Sequence, residues 1–225
     1  MTLRSKILLY MVVPVLVIML GLAWINLQRI HSQMLLKESQ IIQEDLDKAA
    51  LQIERGNLEA ITVARTMALA QQAGMFGQRQ ESLAYAREVL NAFPHFIGAS
   101  IGYEPNADGN DKETPLPVQG STNYVDADGR FIPYWFRDPA KNGAVTLEPL
   151  VDMENSLYYG GMKERYLRGT PEPYIVTEPY VYNHANLIVE QVSPIVIDGR
   201  FAGIAAVDRG LDFLSDFVNE LKPYE

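Results

Sequence analysis

The sequence predicts an α+β protein: one antiparallel sheet with helices packed on it, preceded by a membrane helix. Three observations predict it. Ile7 to Leu27 is an uncharged apolar run. Arg29 to Gly74 contains no proline and carries a heptad pattern. Beyond Phe96, short runs of β-formers are separated by turn residues, with Asp-Gly pairs at Asp128-Gly129 and Asp198-Gly199.

The run 7–27 is long enough to cross a bilayer core, which takes about 20 apolar residues. Arg4 and Lys6 precede it and predict a cytoplasmic N-terminus at residues 1–6. Trp24 suits the far interface, and Pro14 is tolerated within a membrane helix. A cleaved signal peptide has a shorter apolar region and a small-x-small site. "LAWINLQ" offers no such site, so the run is read as an anchor and everything after Leu27 as extracytoplasmic.

Residues 28–74 follow as a long extracytoplasmic helix. Leu46, Ile53, Ala60 and Met67 recur every seven residues, and Leu35, Ile42, Ala49, Val63 and Ala70 supply the companion positions. Ser39 and Gly56 interrupt this seam. The pattern fits both a parallel homodimer near the membrane and a stripe lying on the chain's own domain. A second helix is expected from about Glu81 to Phe93, with Leu83, Ala86, Val89 and Leu90 on one side, stopped by Pro94.

The sheet begins with "FIGASIGYE", followed by a long exposed loop, "PNADGNDKETPLPVQGSTN". "NYVDA" and "RFIPYWF" flank one Asp-Gly turn; "EQVSPIVI" and "RFAGIAAVD" flank the other. With "PYIVTEPYVY" these make roughly six strands. Connecting helices fall between Leu150 and Arg168, and an amphipathic helix carrying Leu211, Leu214, Phe217, Val218 and Leu221 closes the module at 75–221.

Composition excludes several functions. Acidic residues outnumber basic ones by 28 to 19, for a net charge of -9, which argues against a nucleic-acid partner. The absence of cysteine rules out disulfides, thiol nucleophiles and Cys-ligated zinc. His31, His95 and His184 lack metal-ligand spacing, so neither metal nor cofactor is expected. Ser193 has no nearby histidine, and no GxSxG, P-loop, HExxH or GxGxxG pattern occurs, so no enzyme is expected.

Aromatic residues and acids do accumulate. Period-two alternation puts Glu178, Tyr180 and Tyr182 on one strand face. Tyr134 and Trp135 sit on the hairpin strand, Tyr158 and Tyr159 in the connecting region, and Asp208 ends the last strand. Such a cup would suit an organic ammonium, through cation–π attraction and a charge-assisted hydrogen bond. The same tyrosines could equally pack a core, and Asp208 could cap the helix expected after it.

In its order of features the chain resembles the membrane-distal half of a double Cache sensor domain. The features are the membrane helix, the long helix, "GRFIPYW", "LYY", "TEPYVY", "VSPIVIDGRFAGIAAVD" and "LDFLSDF". Bacterial chemoreceptors carry such domains, as do some sensor histidine kinases and diguanylate cyclases. The resemblance implies a PAS-like sheet, a periplasmic location at the inner membrane and a small-molecule ligand. It also implies that residues 222–225 start a second, membrane-proximal module. In amino-acid-binding members an Arg before a Trp-Tyr pair holds the ligand carboxylate. Here Tyr158-Tyr159 follows "ENS", so that Arg is missing. The family's Tyr-x-Asp matches Tyr180-Val181-Tyr182, and its final-strand Asp, which takes the ligand ammonium, matches Asp208. The site implied is Trp135, Tyr158, Tyr159, Tyr180, Tyr182 and Asp208, open to an amine that lacks the usual carboxylate. The contrasting expectation is a membrane-anchored interaction scaffold without a small ligand, in which these residues do not converge.

Overall fold

The computed structural model describes residues 3–112, 124–170, 174–182 and 186–211. The expected terminal helix lies outside them, as do most of the long loop and the "NHAN" connection. The chain divides into two units, Met1–Gln52 and Ile53–Glu225.

Helix α1 (Leu3–Ala70) contains Pro14 and the apolar run, which is long and apolar enough to cross a membrane. In the first unit its apolar side chains, from Leu16 to Leu46, are exposed. In the second unit the heptad residues Ala60 and Met67 are buried with Ala64. Here the stripe lies on the chain's own sheet. A π-helical turn (Gln71–Met75) ends the helix at Gly74, whose φ of 119° stops helical winding. Helix α2 (Arg79–Ala92) follows and buries Ala86, Val89 and Leu90.

The sheet comprises β1 (Phe96–Tyr103), β2 (Pro133–Asp138), β3 (Ala144–Pro149), β4 (Ile175–Val176), β5 (Tyr180–Tyr182), β6 (Asn186–Ile197) and β7 (Arg200–Gly210). The order is β3-β2-β1-β7-β6-β4, with β5 also on β6, and every pairing is antiparallel. Strand β3 is an addition to the six expected. "NYVDA" makes only an isolated bridge, Val125 to Phe131, because β2 takes β1 and β3 as partners instead. The Asp198-Gly199 turn does form a hairpin, with both residues at positive φ (49° and 72°), as a tight primed turn requires.

The two faces of the sheet bury different things. Ala99, Ile101, Ala205 and Val207 face α1 and α2, where small side chains let the helices approach closely. Tyr134, Phe136, Ile188, Val192, Ile204 and Ala206 face the other way, under Leu150, Met153, Tyr158 and Met162. That second cover is made by the segment after β3 and by α3 (Gly160–Leu167).

Strands β6 and β7 do not pair as a simple hairpin. The register slips by one between Ile195 and Val196, so Ile195 faces Gly203 rather than Ala202. Gly203 has φ 150°, and a Cβ there would lie 2.2 Å from the Gly102 carbonyl oxygen. The glycine therefore makes this β-bulge possible.

A buried ionic cluster ties the β1–β2 connection to α2. Arg79 Nε donates to Asp108 at 2.7 Å, and its Nη groups donate to Asp111 at 2.5 Å and the Gly129 carbonyl at 2.8 Å. Replacing Arg79 with Met would leave Asp108 and Asp111 without this cation. The expected loss is about 3–5 kcal/mol of folding stability, measured by chemical denaturation.

Candidate functional site

The site begins with β1. Gly98, Ser100 and Gly102 alternate with Ala99, Ile101 and Tyr103, so one face of the central strand carries almost no side-chain bulk. On either side stand larger residues. Gly98 pairs with Phe136 of β2 and with Asp208 of β7, and Asp208 pairs with Glu190 of β6. One row across the sheet thus reads Phe136, Gly98, Asp208, Glu190. A Cβ on Gly98 would come within 2.2 Å of Asp208 Oδ2 and 2.6 Å of the Tyr134 ring. The missing side chain is the space those two groups occupy.

Asp208 and Glu190 are 1% and 2% exposed. Glu190 accepts a hydrogen bond from the Tyr180 hydroxyl at 2.6 Å. Both Asp208 oxygens are buried without an aligned hydrogen bond. Their polar neighbours are the Tyr134 hydroxyl and the Glu190 carboxyl, near enough to influence ionisation but not well aligned. Among the described residues no cationic side chain pairs with either acid. Burial pushes the Asp208 carboxyl up to about 6, against the pull of Tyr134 and Glu190. Burial, and then the charge of Asp208, push Glu190 well above the usual carboxylate range.

Four tyrosines stand over the pair. Tyr182 is the hub: its ring meets Tyr134 edge-on at 5.3 Å, Tyr158 at 6.3 Å and Tyr180 at 6.2 Å. Tyr134 also stacks on Phe136 at 5.4 Å. The Tyr158 hydroxyl donates to the Val151 carbonyl at 2.5 Å, which folds the covering segment back on itself, and the Val151 amide donates to the Tyr182 hydroxyl at 3.4 Å. Desolvation raises the pKa of all four hydroxyls, so they remain neutral donors and acceptors.

Of the residues expected from sequence, the structure brings together Tyr158, Tyr180, Tyr182 and Asp208. Asp208 lies inside β7, which runs on to Gly210, and pairs with strand residues on both sides. Trp135 lies on the opposite face: its indole Nε1 donates to the Leu83 carbonyl of α2 at 2.9 Å, and Arg87 stacks over its ring. Tyr159 turns toward the far end of β1. Its hydroxyl donates to Glu104, with Arg130 at 4.6 Å and Lys163 at 5.5 Å from its ring. From Gly98 to Glu104 is about 20 Å of strand. Glu178, expected on the face of Tyr180 and Tyr182, is exposed ahead of β5. Sequence reasoning missed Glu190 as a member of the site and chose Trp135 over Tyr134. The available signal was a lone acid in the apolar run "LIVEQVSPIVI".

The same hairpin is joined to α1 on its other face. Arg209 Nη1 donates to Asn57 Oδ1 at 2.8 Å, and Gln191 Nε2 donates to the same oxygen at 3.2 Å. The Arg209 guanidinium lies so close to Gly56 that a Cβ there would be 2.2 Å away. Each acid therefore has a sequence neighbour on its own strand that grips the helix. Among the described residues no group of three or more His, Cys, Asp or Glu could hold a metal ion.

No protein-family model matches the chain, and no curated protein matches it. Solved structures do. The extracellular domain of mmHK1S-Z3, described as a histidine kinase, is 30% identical with a TM-score of 0.63, and that of mmHK1S-Z2 is 34% identical with a TM-score of 0.59. Both matches cover 77% of this chain and 59% of theirs. Methyl-accepting chemotaxis protein X is 25% identical with a TM-score of 0.64, covering 81% of this chain and 65% of its own.

The chain has the fold of a Cache-type sensory domain.

The periplasmic sensory domain of the Campylobacter jejuni chemoreceptor Tlp1 shares that fold at 10% identity, with a TM-score of 0.56. These relatives are sensory domains rather than catalytic ones. The chain spans less than two thirds of the length of each of the first three structures described above.

Filling the Gly98 space should disturb the site directly. Gly98→Ala is expected to cost about 1–3 kcal/mol of stability through overpacking against Asp208 and Tyr134. In an Asp208→Gly background the cost should shrink, which a double-mutant cycle of unfolding free energies measures.

Proposed function

We propose that this chain is the ligand-sensing input of a transmembrane receptor. It binds a small amine in the periplasm and passes a conformational signal across the bacterial inner membrane, with chemotaxis as the output. One observation carries the ligand class: two buried carboxyl groups, with no cationic side chain paired to them among the described residues, lie under four tyrosine rings. Buried charge is tolerated when it is paired. An ammonium supplies the missing charge, N–H donors for the carboxylates and a cation for the ring faces. A ligand carboxylate would be repelled by the same acids, so an amine without one fits better than a standard α-amino acid.

The hairpin gives the signal a route. Ligand bound to Asp208 and Glu190 acts on one face of β6 and β7. Arg209 and Gln191 hold Asn57 of α1 on the other. A ligand shifts a receptor's equilibrium only through contacts that differ between its states. Displacement of the hairpin would change the Arg209–Asn57 contact and hence the setting of the helix. The homodimer is part of this reading, with the exposed heptad residues between Leu35 and Leu46 as its seam. A histidine-kinase output is the second reading, supported by the two kinase-derived structures at 30% and 34% identity.

Calorimetric titration of the full chain in nanodiscs with a panel of amines tests the ligand class. Asp208→Asn is expected to weaken the best binder by about 30-fold or more, as loss of a buried charged partner does. Unchanged affinity in this variant would remove Asp208 as the counter-ion.

A further inference from the structure

Glu190 is the part of this site that the sequence reading did not include, and it changes what an incoming cation must do. It sits opposite Asp208 on the neighbouring strand, and both are almost wholly buried. Among the described residues, the titratable groups facing the pair come from several elements around it. They are Tyr134 from β2, Tyr158 from the segment before α3, and Tyr180 and Tyr182 from β5. All four are neutral phenols. Arg209, the nearest cation in sequence, is turned to the opposite face and held by α1. Two ionised carboxylates side by side in such a place would repel each other with no cation between them.

We propose that Glu190 and Asp208 form a single two-carboxylate site that shares one proton when empty and exchanges it for the ammonium of a primary amine. This rests on the reading above that the tyrosine-ringed site takes an amine. Charge and atoms balance. The empty pair carries one proton and one negative charge, and the amine arrives as R–NH3+. In the complex both carboxylates are ionised around the ammonium, and one proton leaves to solvent. The ammonium N–H groups replace the lost carboxyl O–H as donors. A quaternary ammonium has no N–H to offer and leaves the proton in place. Glu190 is thus a specificity-determining residue that selects primary over quaternary amines. Burial of both acids, which holds their protons to higher pH, agrees with this.

The sign of the pH effect follows from linkage. Release of a proton on binding makes affinity rise with pH, by up to about tenfold per pH unit while the empty pair stays protonated. In the ligand-free protein, folded-state pKa values above those of the unfolded chain mean the folded state binds more protons. Stability contributed by the protonated pair is full below the ordinary carboxylate range. It is lost as pH rises through about 6 and beyond.

The test uses the full chain in nanodiscs, titrated with propylamine, 1,4-diaminobutane and tetramethylammonium in phosphate and in HEPES. At about pH 6, 7 and 8 the buffer dependence of the binding heat counts the protons released. The expected result is about one proton released per primary amine at the lowest pH, affinity about 5–10-fold tighter per pH unit, and none released by tetramethylammonium. Glu190→Gln should abolish proton release while still binding primary amine. Amine binding without buffer or pH dependence overturns the exchange and leaves the amine-sensor reading standing. If no amine binds at any pH, the exchange and that reading fall together. Melting curves of the ligand-free chain then judge the shared proton alone. Wild type should lose several degrees relative to Glu190→Gln between about pH 5 and 8. If Glu190→Gln does not fold, Asp208→Asn takes its place, and curves parallel to wild type overturn proton sharing.

Discussion

Burying two acids beside each other is the constraint around which one face of the sheet is arranged. Removing a carboxylate from water is costly unless a cation or a set of donors takes the place of its hydration. Here Glu190 has one tyrosine hydroxyl and Asp208 has no well-aligned donor. The surrounding residues accommodate the pair without neutralising it. Gly98 leaves the volume, four phenols pack around it, and the Tyr158–Val151 bond holds the covering segment in its fold. A site built this way is unfinished until something positive or a proton occupies it.

The sheet then links that site to the helix. Its two faces have different duties because side chains alternate along each strand. Acids and tyrosines project one way; Gln191 and Arg209 project the other and hold α1 at Asn57. Gly56 is a poor helix residue by intrinsic propensity. In this place it is what lets the Arg209 guanidinium lie against the helix. The break in the heptad is therefore a contact point between sheet and helix.

The structural relatives place the fold among sensory domains of kinases and chemoreceptors, but their identities and partial coverage leave the ligand to be argued from this chain's own residues. Relative to the pattern the resemblance implies, the arginine clamp is absent and Tyr182 stands in place of an aspartate, while Glu190 sets a buried acid opposite Asp208. Tyr159, by contrast, serves a separate group with Glu104, Arg130 and Lys163, the two cations lying near its ring.

Local features were legible without a structure. An uncharged run of bilayer length, a heptad, a proline stop after α2 and an Asp-Gly turn between β6 and β7 each depend on residues close in sequence. The α+β class was legible as well. Three things needed the tertiary fold. Alternation says that Tyr134 and Trp135 face opposite ways, but only the packing of α2 decides which is inward to the helices. Tyr158 and Tyr159 part because one finds Val151 and the other Glu104. Counting back from the Asp198-Gly199 turn would set Glu190 opposite Val207. The extra residue accommodated beside Gly203 shifts the register by one and brings Glu190 onto the row of Asp208. A one-residue slip moves a strand's whole side-chain set to the other face, so a bulge that no short-range rule specifies is what joins the two acids into one site.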